Sequence, residues 1–425
     1  MDYSKLLCGI TDCACGREHL CPISHVEIGS GAVEKLPEMV KAYKSIVMAA
    51  DENTWRVQGE KVKEILGDKV ENVLIYPDNG HVVVPDEASI ALLEEKVTEK
   101  TDLIVGVGSG VLNDLCKYVS AQKDLPYYIV ATAPSMDGYA SNGAALILGG
   151  MKISPNARPP KAIIADTKVL KDAPMDMIQA GYGDIMGKLS CLNDWKLATL
   201  INGEYFCQYV YDLTMDTVEG LRPLADKLLA RDEEAVGLLM EALVTVGIAM
   251  SFVGNSRPAS GSEHHLSHFF EITGLVHGRD YYPHGIDVAY SAIVTAKLRQ
   301  YILENAPQQQ AHDEKAWEEI IHRVYGSVAD GCIALQKKLD SYRMFSENAA
   351  KCDWDAIRTC LKEAPDAKEM EEIIAGIGLK YEDFIRFYGM DVIEEATKYA
   401  KDLKDRYTVL WLYNQFFTGK GVNLK

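Results

Sequence analysis

The chain is short of positive charge. Its 44 Lys and Arg stand against 62 Asp and Glu in 425 residues, a formal balance of −18. A phosphate backbone needs a basic face, so nucleic acid is excluded as a partner. Anionic membrane surfaces are excluded on the same ground. A small anionic substrate is not, because one pocket can be basic inside an acidic protein. The opening "MDYSKLLCGITDCACG" lacks the basic start and apolar run of a secretory signal. With ten cysteines, that predicts reduced thiols and a cytoplasmic protein. Internal repeats and low-complexity segments are absent. Long apolar runs are absent too, with one exception at 235–254, "AVGLLMEALVTVGIAMSFVG", which has the length of a bilayer span. Glu241 interrupts it and charged helical sequence flanks it, so we read it as a buried helix of an all-helical domain. Hydrophobic content of 48% and charged content of 25% are ordinary for a globular protein. The length allows two or three domains.

Four cysteines, Cys8, Cys13, Cys15 and Cys21, fall in the first 21 residues, with His19 among them. Their spacing, C-x4-C-x-C-x5-C, is not the paired C-x2-C of zinc ribbons. Residues 1–24 read either as a small structural metal site or as a loosely ordered tail of reduced thiols.

From residue 25 to 166 the pattern alternates. "SIVMAAD", "VENVLIY", "DLIVGVG", "YYIVATAP" and "AIIAD" are apolar strands. A helix opening near Asn53, "DEASIALLEEKV" and the stretch after "GVGSG" separate them. Continuous apolar strands alternating with helices predict a parallel sheet covered on both faces, a Rossmann-like α/β domain. From 167 to 425 the period becomes 3.6 residues, which predicts an all-α domain. Ligands on such sheets sit at the carboxyl ends of the strands, and the cleft between the two domains is the expected ligand site.

"GVGSG" (Gly106, Gly108, Ser109, Gly110) follows a strand and precedes a helix. Such a turn lets a pyrophosphate approach the backbone, and the helix N-terminus supplies free amides. It departs from the strict G-x-G-x-x-G fingerprint, so a tight turn without ligand is the plainer alternative. Asp51 ends an earlier strand. It could accept a ribose diol, favouring NAD over NADP, or cap a helix together with Asn53.

"GSEHHLSHFFE" (261–271) crowds three histidines. On a helix, His264 and His268 share one face, while His265 is rotated about 100° away. The Glu of H-E-x-x-H is missing, which argues against a metalloprotease. His284 in the Pro-His-Gly turn and Asp184 in "AGYGDIMGK" are further candidates, with Gly181 and Gly183 expected to form a tight turn before a helix. Two imidazoles and a carboxylate suit a divalent metal with positions left for substrate.

"GVGSGVLNDL", "ATAPSMDGYAS", "AGYGDIMGK", "SRPASGSEHHLSH" and "PHG" together resemble the sn-glycerol-1-phosphate dehydrogenases, most of all the bacterial ones. That family lies within the iron-dependent alcohol dehydrogenase and dehydroquinate-synthase superfamily. The resemblance covers roughly residues 25–415 and leaves out the cysteine-bearing tail. It implies a dehydroquinate synthase-like fold and an NAD(P)H-linked enzyme of phospholipid biosynthesis. That enzyme would reduce dihydroxyacetone phosphate reversibly to sn-glycerol 1-phosphate, as a cytoplasmic homodimer. It assigns Asp184, His264 and His284 to the metal, with zinc or nickel first and iron as a further option. Asp184, His268 and Asp137 would contact substrate. Asp51, Gly108, Gly110, Val111, Leu112, Asn113, Asp114, Thr132, Ala133, Pro134, Ser135 and Ser141 would line NAD(H), with NADP(H) as the alternative.

On that reading His268 relays a proton to the alkoxide, or only orients His264. Asp137 accepts a substrate hydroxyl, or is simply the Asp of an Asp-Gly turn. Lys188, Arg257 and the helix start at Ser260 to Ser262 are candidates for the phosphate, unless the two cations balance acidic neighbours. A glycerol or polyol dehydrogenase of the same superfamily is the first alternative. A dehydroquinate-synthase-type lyase is another, and should carry more basic residues. A non-catalytic nucleotide-binding module with a structural histidine cluster is the last.

Overall fold

The computed structural model describes residues 3–78, 83–149, 151–153, 155, 157–417 and 421–425. It divides into two compact units, one of Met1–Gly181 with Pro223–Ser256, the other of Tyr182–Arg222 with Arg257–Lys425.

The first unit is built on β1 (His25–Gly29), β2 (Ile46–Asp51), β3 (Val70–Tyr76), β4 (Leu103–Gly108), β5 (Tyr127–Ala131), β6 (Leu146–Leu148), β7 (Met151–Ile153) and β8 (Ala162–Asp166). β6 and β7 form a small antiparallel pair. The other six make one sheet in the order β1-β8-β5-β4-β2-β3, and every pairing is parallel. β4, β5 and β8 are buried along their whole length. Their unbroken apolar runs therefore fill both faces of the sheet, as expected of a parallel sheet. Ile46, Met48, Val105, Val130 and Ile164 belong to one core cluster.

The chain leaves β2 towards β3 on one side and resumes at β4 on the other. The carboxyl ends of β2 and β4, in register through Ala49 and Gly106, are thus a topological switch point, where doubly wound sheets bind their ligands. Asp51 ends β2, and Gly108 ends β4 just before the helix Gly110–Gln122. A Cβ on Gly108 would lie 2.7 Å from the Leu112 side chain, so glycine is what lets the helix start tight against the strand.

Two readings of the tail and of the apolar run meet the structure differently. The helix Glu233–Val253 is internal, with 83% of its most apolar window buried, as its sequence suggested. It groups with the first unit, however, and not with the all-helical part expected from residue 167 onward. The N-terminal segment is not a loose tail. Leu6, His19 and Ile23 are buried, and the Tyr3 hydroxyl donates to the Glu241 carbonyl at 3.0 Å.

The second unit contains no strand among its described residues. Gln208–Leu221, Ser262–His277, His284–Glu304 and the helices up to Val409–Phe416 build it. Gly181 and Gly183 do not form the expected turn, since both lie inside the continuous helix Met175–Asn202.

Candidate metal centre and dinucleotide cradle

Three elements of the second unit bring three ligating groups together. Asp184 projects from the helix Met175–Asn202. His264 lies in the first turn of Ser262–His277, a helix seated by the Asp194 carboxylate, which accepts from the Ser262 amide at 2.7 Å. His284 opens the helix His284–Glu304, directly after Pro283. One ligand atom from each of Asp184, His264 and His284 lies within 4.8 Å of the others.

The hydrogen bonds aim these groups. Glu263 accepts from the Gly261 amide at 2.9 Å and from His264 Nδ1 at 2.7 Å. A carboxylate can only accept, so the proton sits on Nδ1. Nε2, on the other side of the ring, lies 3.5 Å from Asp184 Oδ1. This is the carboxylate–histidine pairing that orients metal ligands. His284 Nδ1 is 3.2 Å from Ser267 Oγ. Lys188, one helical turn after Asp184 and equally buried, donates to Asp184 Oδ1 at 2.7 Å and to the Ala259 carbonyl at 3.0 Å. Burial opposes ionisation of Asp184, but the Lys188 ammonium and the two imidazoles outweigh it and hold the carboxyl well below the usual range.

The helical spacing works as read from the sequence. His268 reaches the same cluster, its ring 6.4 Å from that of His264 and 5.5 Å from that of His284. It is only half-buried. His265 points elsewhere. Burial, with Arg406, Lys404 and Arg257 nearby, pushes its pKa well down. Neither of its ring nitrogens has a hydrogen-bond partner among the described residues.

The cations named for a phosphate are both committed to carboxylates. Lys188 serves Asp184. Arg257, which is buried, grips Glu204 with two parallel bonds, Nε at 2.6 Å and Nη2 at 2.5 Å, and gives a third bond to the Tyr407 carbonyl. The plainer alternative, cations balancing acidic neighbours, describes these contacts. The Ser260 carbonyl accepts from Arg406.

In the first unit, the residues read as a dinucleotide cradle gather at the carboxyl ends of three adjacent strands, β2, β4 and β5. Asp51 is an N-cap in a full capping box. Its Oδ1 accepts from the Asn53 amide at 2.9 Å and the Thr54 amide at 2.8 Å. The first turn, Gly110, Val111 and Leu112, presents amides without intrahelical acceptors. Asn113 and Asp114 follow, and Asp114 Oδ2 accepts from the Ala145 amide at 3.1 Å. Thr132 to Ser135 lead out of β5, and the Thr132 amide meets the Gly108 carbonyl at 3.1 Å. Asp137, nearly buried, opens the short turn Asp137–Ala140.

Two functional groups escaped sequence reading. Glu263 stands beside His264, and a carboxylate next to a proposed ligand was a signal within reach. Lys117 was not. Its fully buried ammonium donates to Gly138 O (2.7 Å), Gly143 O (2.9 Å) and Ser141 Oγ (3.3 Å) and so staples the loop after Asp137. Burial lowers its pKa against the pull of Asp114 and Asp137.

Two substitutions test how this geometry is held. Glu263→Gln removes the acceptor charge from His264, and divalent-metal affinity should fall about 10- to 100-fold, read by competition with a chelating dye. Gly183→Ala should gain about 1 kcal/mol from helix propensity. Its Cβ, however, would lie 2.5 Å from the Gly285 carbonyl. The start of the His284 helix must therefore shift, and metal content should drop despite the better helix former. Unchanged metal content would show that the helix start yields freely.

The chain as a whole is similar to known proteins. Residues 27–174 match the model of the iron-containing alcohol dehydrogenase family. The chain is 31% identical, over 97% of its own length and 96% of the relative's, to the glycerol-1-phosphate dehydrogenase [NAD(P)+] of Bacillus licheniformis. It is similar in fold to a probable glycerol dehydrogenase from Sinorhizobium meliloti 1021, with TM-score 0.54, 18% identity and 86% and 98% of the two chains covered. It is also similar to a sulfoacetaldehyde reductase from Bifidobacterium kashiwanohense, with TM-score 0.62, 14% identity and 95% and 99% covered.

Proposed function

Since the chain belongs to the glycerol-1-phosphate dehydrogenases, within the fold class of the iron-containing alcohol dehydrogenases, we propose that it interconverts dihydroxyacetone phosphate and sn-glycerol 1-phosphate with NAD(P)(H). The observation that carries this reading is the convergence of Asp184, His264 and His284, with Glu263 fixing the proton of His264.

In this reaction a nicotinamide supplies or takes the hydride and a divalent ion polarises the ketone oxygen. The chain's own residues do the rest. Asp184, His264 Nε2 and His284 hold the ion, and zinc or nickel suits their donors, with ferrous iron next. Lys188 keeps the Asp184 carboxylate ionised. His268, half-buried beside both imidazoles, passes the proton to or from the substrate oxygen. Asp137 accepts a substrate hydroxyl. The amides of Gly110, Val111 and Leu112, with Asn113, Asp114, Thr132, Ala133, Pro134, Ser135 and Ser141, line the dinucleotide. Asp51 keeps Oδ1 for its cap and offers Oδ2 to the ribose. We place the enzyme in the cytoplasm, as a homodimer.

A second reading, a dehydrogenase of unphosphorylated glycerol or another polyol, is favoured by one observation. Lys188 and Arg257 are both paired with carboxylates.

The deciding assay follows NADH oxidation with dihydroxyacetone phosphate, dihydroxyacetone and glyceraldehyde 3-phosphate, before chelation and after metals are restored. Dihydroxyacetone phosphate should be the best substrate, and zinc or nickel should restore chelated enzyme. Faster turnover of dihydroxyacetone would transfer the assignment to the polyol reading. His264→Ala and His284→Ala should each lose metal and turnover while NADH binding, followed by nicotinamide fluorescence, stays near wild type. Turnover in either variant would sink the ligand set. Asp51→Ala should cost about 1 kcal/mol of stability as a lost cap and relax the NADH preference. A stability loss with an unchanged cofactor ratio would leave Asp51 as a cap alone.

A further inference from the structure

We propose that Cys13, Cys15 and His19 bind a structural zinc ion, separate from the ion held by Asp184, His264 and His284. The sulfurs of Cys13 and Cys15 and a ring nitrogen of His19 all lie within 4.8 Å of one another. Cys15 Sγ and His19 Nε2 are 3.4 Å apart. In a tetrahedral site, Zn–S of about 2.3 Å and Zn–N of about 2.0 Å put sulfur and nitrogen about 3.5 Å apart.

The backbone builds this cluster by two devices. The Gly16 amide donates to the Cys13 carbonyl at 2.9 Å, closing a turn over residues 13–16. Gly16 takes φ +79°, a conformation glycine adopts without strain. Ile10 and His19 then exchange two amide–carbonyl bonds of 2.8 Å, which folds His19 back over that turn.

The tautomer of His19 is decided by its other nitrogen. Nδ1 lies 2.9 Å from the Phe252 carbonyl. A carbonyl can only accept, so Nδ1 carries the proton and the lone pair of Nε2 faces Cys15. Metal-bound histidines almost always spend their second N–H in this way. A plain thiol–imidazole hydrogen bond would account for Cys15 and His19. The Cys13 sulfur within the same radius supplies a third donor. Two soft thiolates and an imidazole select zinc over magnesium or calcium. Zinc takes four ligands in structural sites, and replacing each remaining cysteine by serine in turn finds the fourth.

The ion also has a mechanical task. The segment before β1 buries few apolar groups, chiefly Tyr3, Leu6 and Ile23, too small a core to hold a chain end by itself. Through the His19–Phe252 bond, zinc fastens the segment to the helix Glu233–Val253, and metal binding becomes folding free energy.

The test is X-ray absorption at the zinc edge on the full chain, purified with zinc under reducing conditions, together with zinc content and thermal unfolding. The Asp184 centre contains no sulfur, so a sulfur shell near ~2.3 Å reports this site alone. We expect that shell in the wild-type chain and in His264→Ala. It should be lost, with one zinc equivalent and a lowered Tm, in Cys13→Ser/Cys15→Ser and in His19→Ala. His19→Cys should keep the zinc with a stronger sulfur shell. Absence of the sulfur shell from the wild-type chain overturns the proposal, even if the serine variant fails to fold. So does a folded serine variant with wild-type zinc content and Tm.

Discussion

A carboxylate with no solvent exposure costs several kcal/mol, on the order of the desolvation of one ion, unless cations meet it. Asp184 is such a group, and the centre around it answers that constraint. Lys188 approaches from one helical turn away and is itself satisfied by a backbone carbonyl. Glu263 adds a second buried carboxylate behind His264. Two carboxylates and one ammonium thus converge there, with the imidazoles of His264 and His284 beside them. A divalent cation fits both the charge and the donors of such a group.

The positions of these groups depend on helix ends as much as on helix faces. Asp194, buried and pushed up to about 6 by its burial and by Glu263, accepts from both the Ser262 and the Val409 amides. It therefore ties the His264 helix to the start of Val409–Phe416. Pro283 starts the next helix so that His284 is its first residue. In the first unit the logic is repeated with different chemistry. Strand order puts the ends of β2, β4 and β5 side by side, and Lys117 pins the loop that carries Asp137 to the helix after the glycine turn.

Legibility in the sequence followed the range of the interactions. The strands were readable because burial on both faces demands unbroken apolar runs, and the His264–His268 face because four residues make nearly one turn. Asp184 and His284 became candidates only through their glycine and proline neighbours. Gly181 and Gly183, which suggest a turn in one dimension, sit within a helix. What stayed hidden was long-range. No local pattern joins Arg257 to Glu204, 53 residues earlier, or Lys117 to the carbonyls of a loop more than 20 residues on. The anchoring of the N-terminal segment by Glu241 and Phe252 is longer in range still. A histidine ring with a buried partner more than 200 residues away looks, in one dimension, like any histidine in a polar tail.

The same distinction bears on how a phosphate would be recognised. Sequence reading looks for one free fork of guanidinium or one lysine, and here those two side chains are held by carboxylates. The cluster offers another source of attraction. A divalent ion held by Asp184, His264 and His284 would add positive charge to the cluster, in surroundings where charges act more strongly than in water. Burial first, and then Arg406 and Lys404, keep the His265 pKa well down, so those two cations lie near this part of the unit. For the proposed reaction, a dianionic substrate would thus be drawn by a summed potential with no dedicated cation.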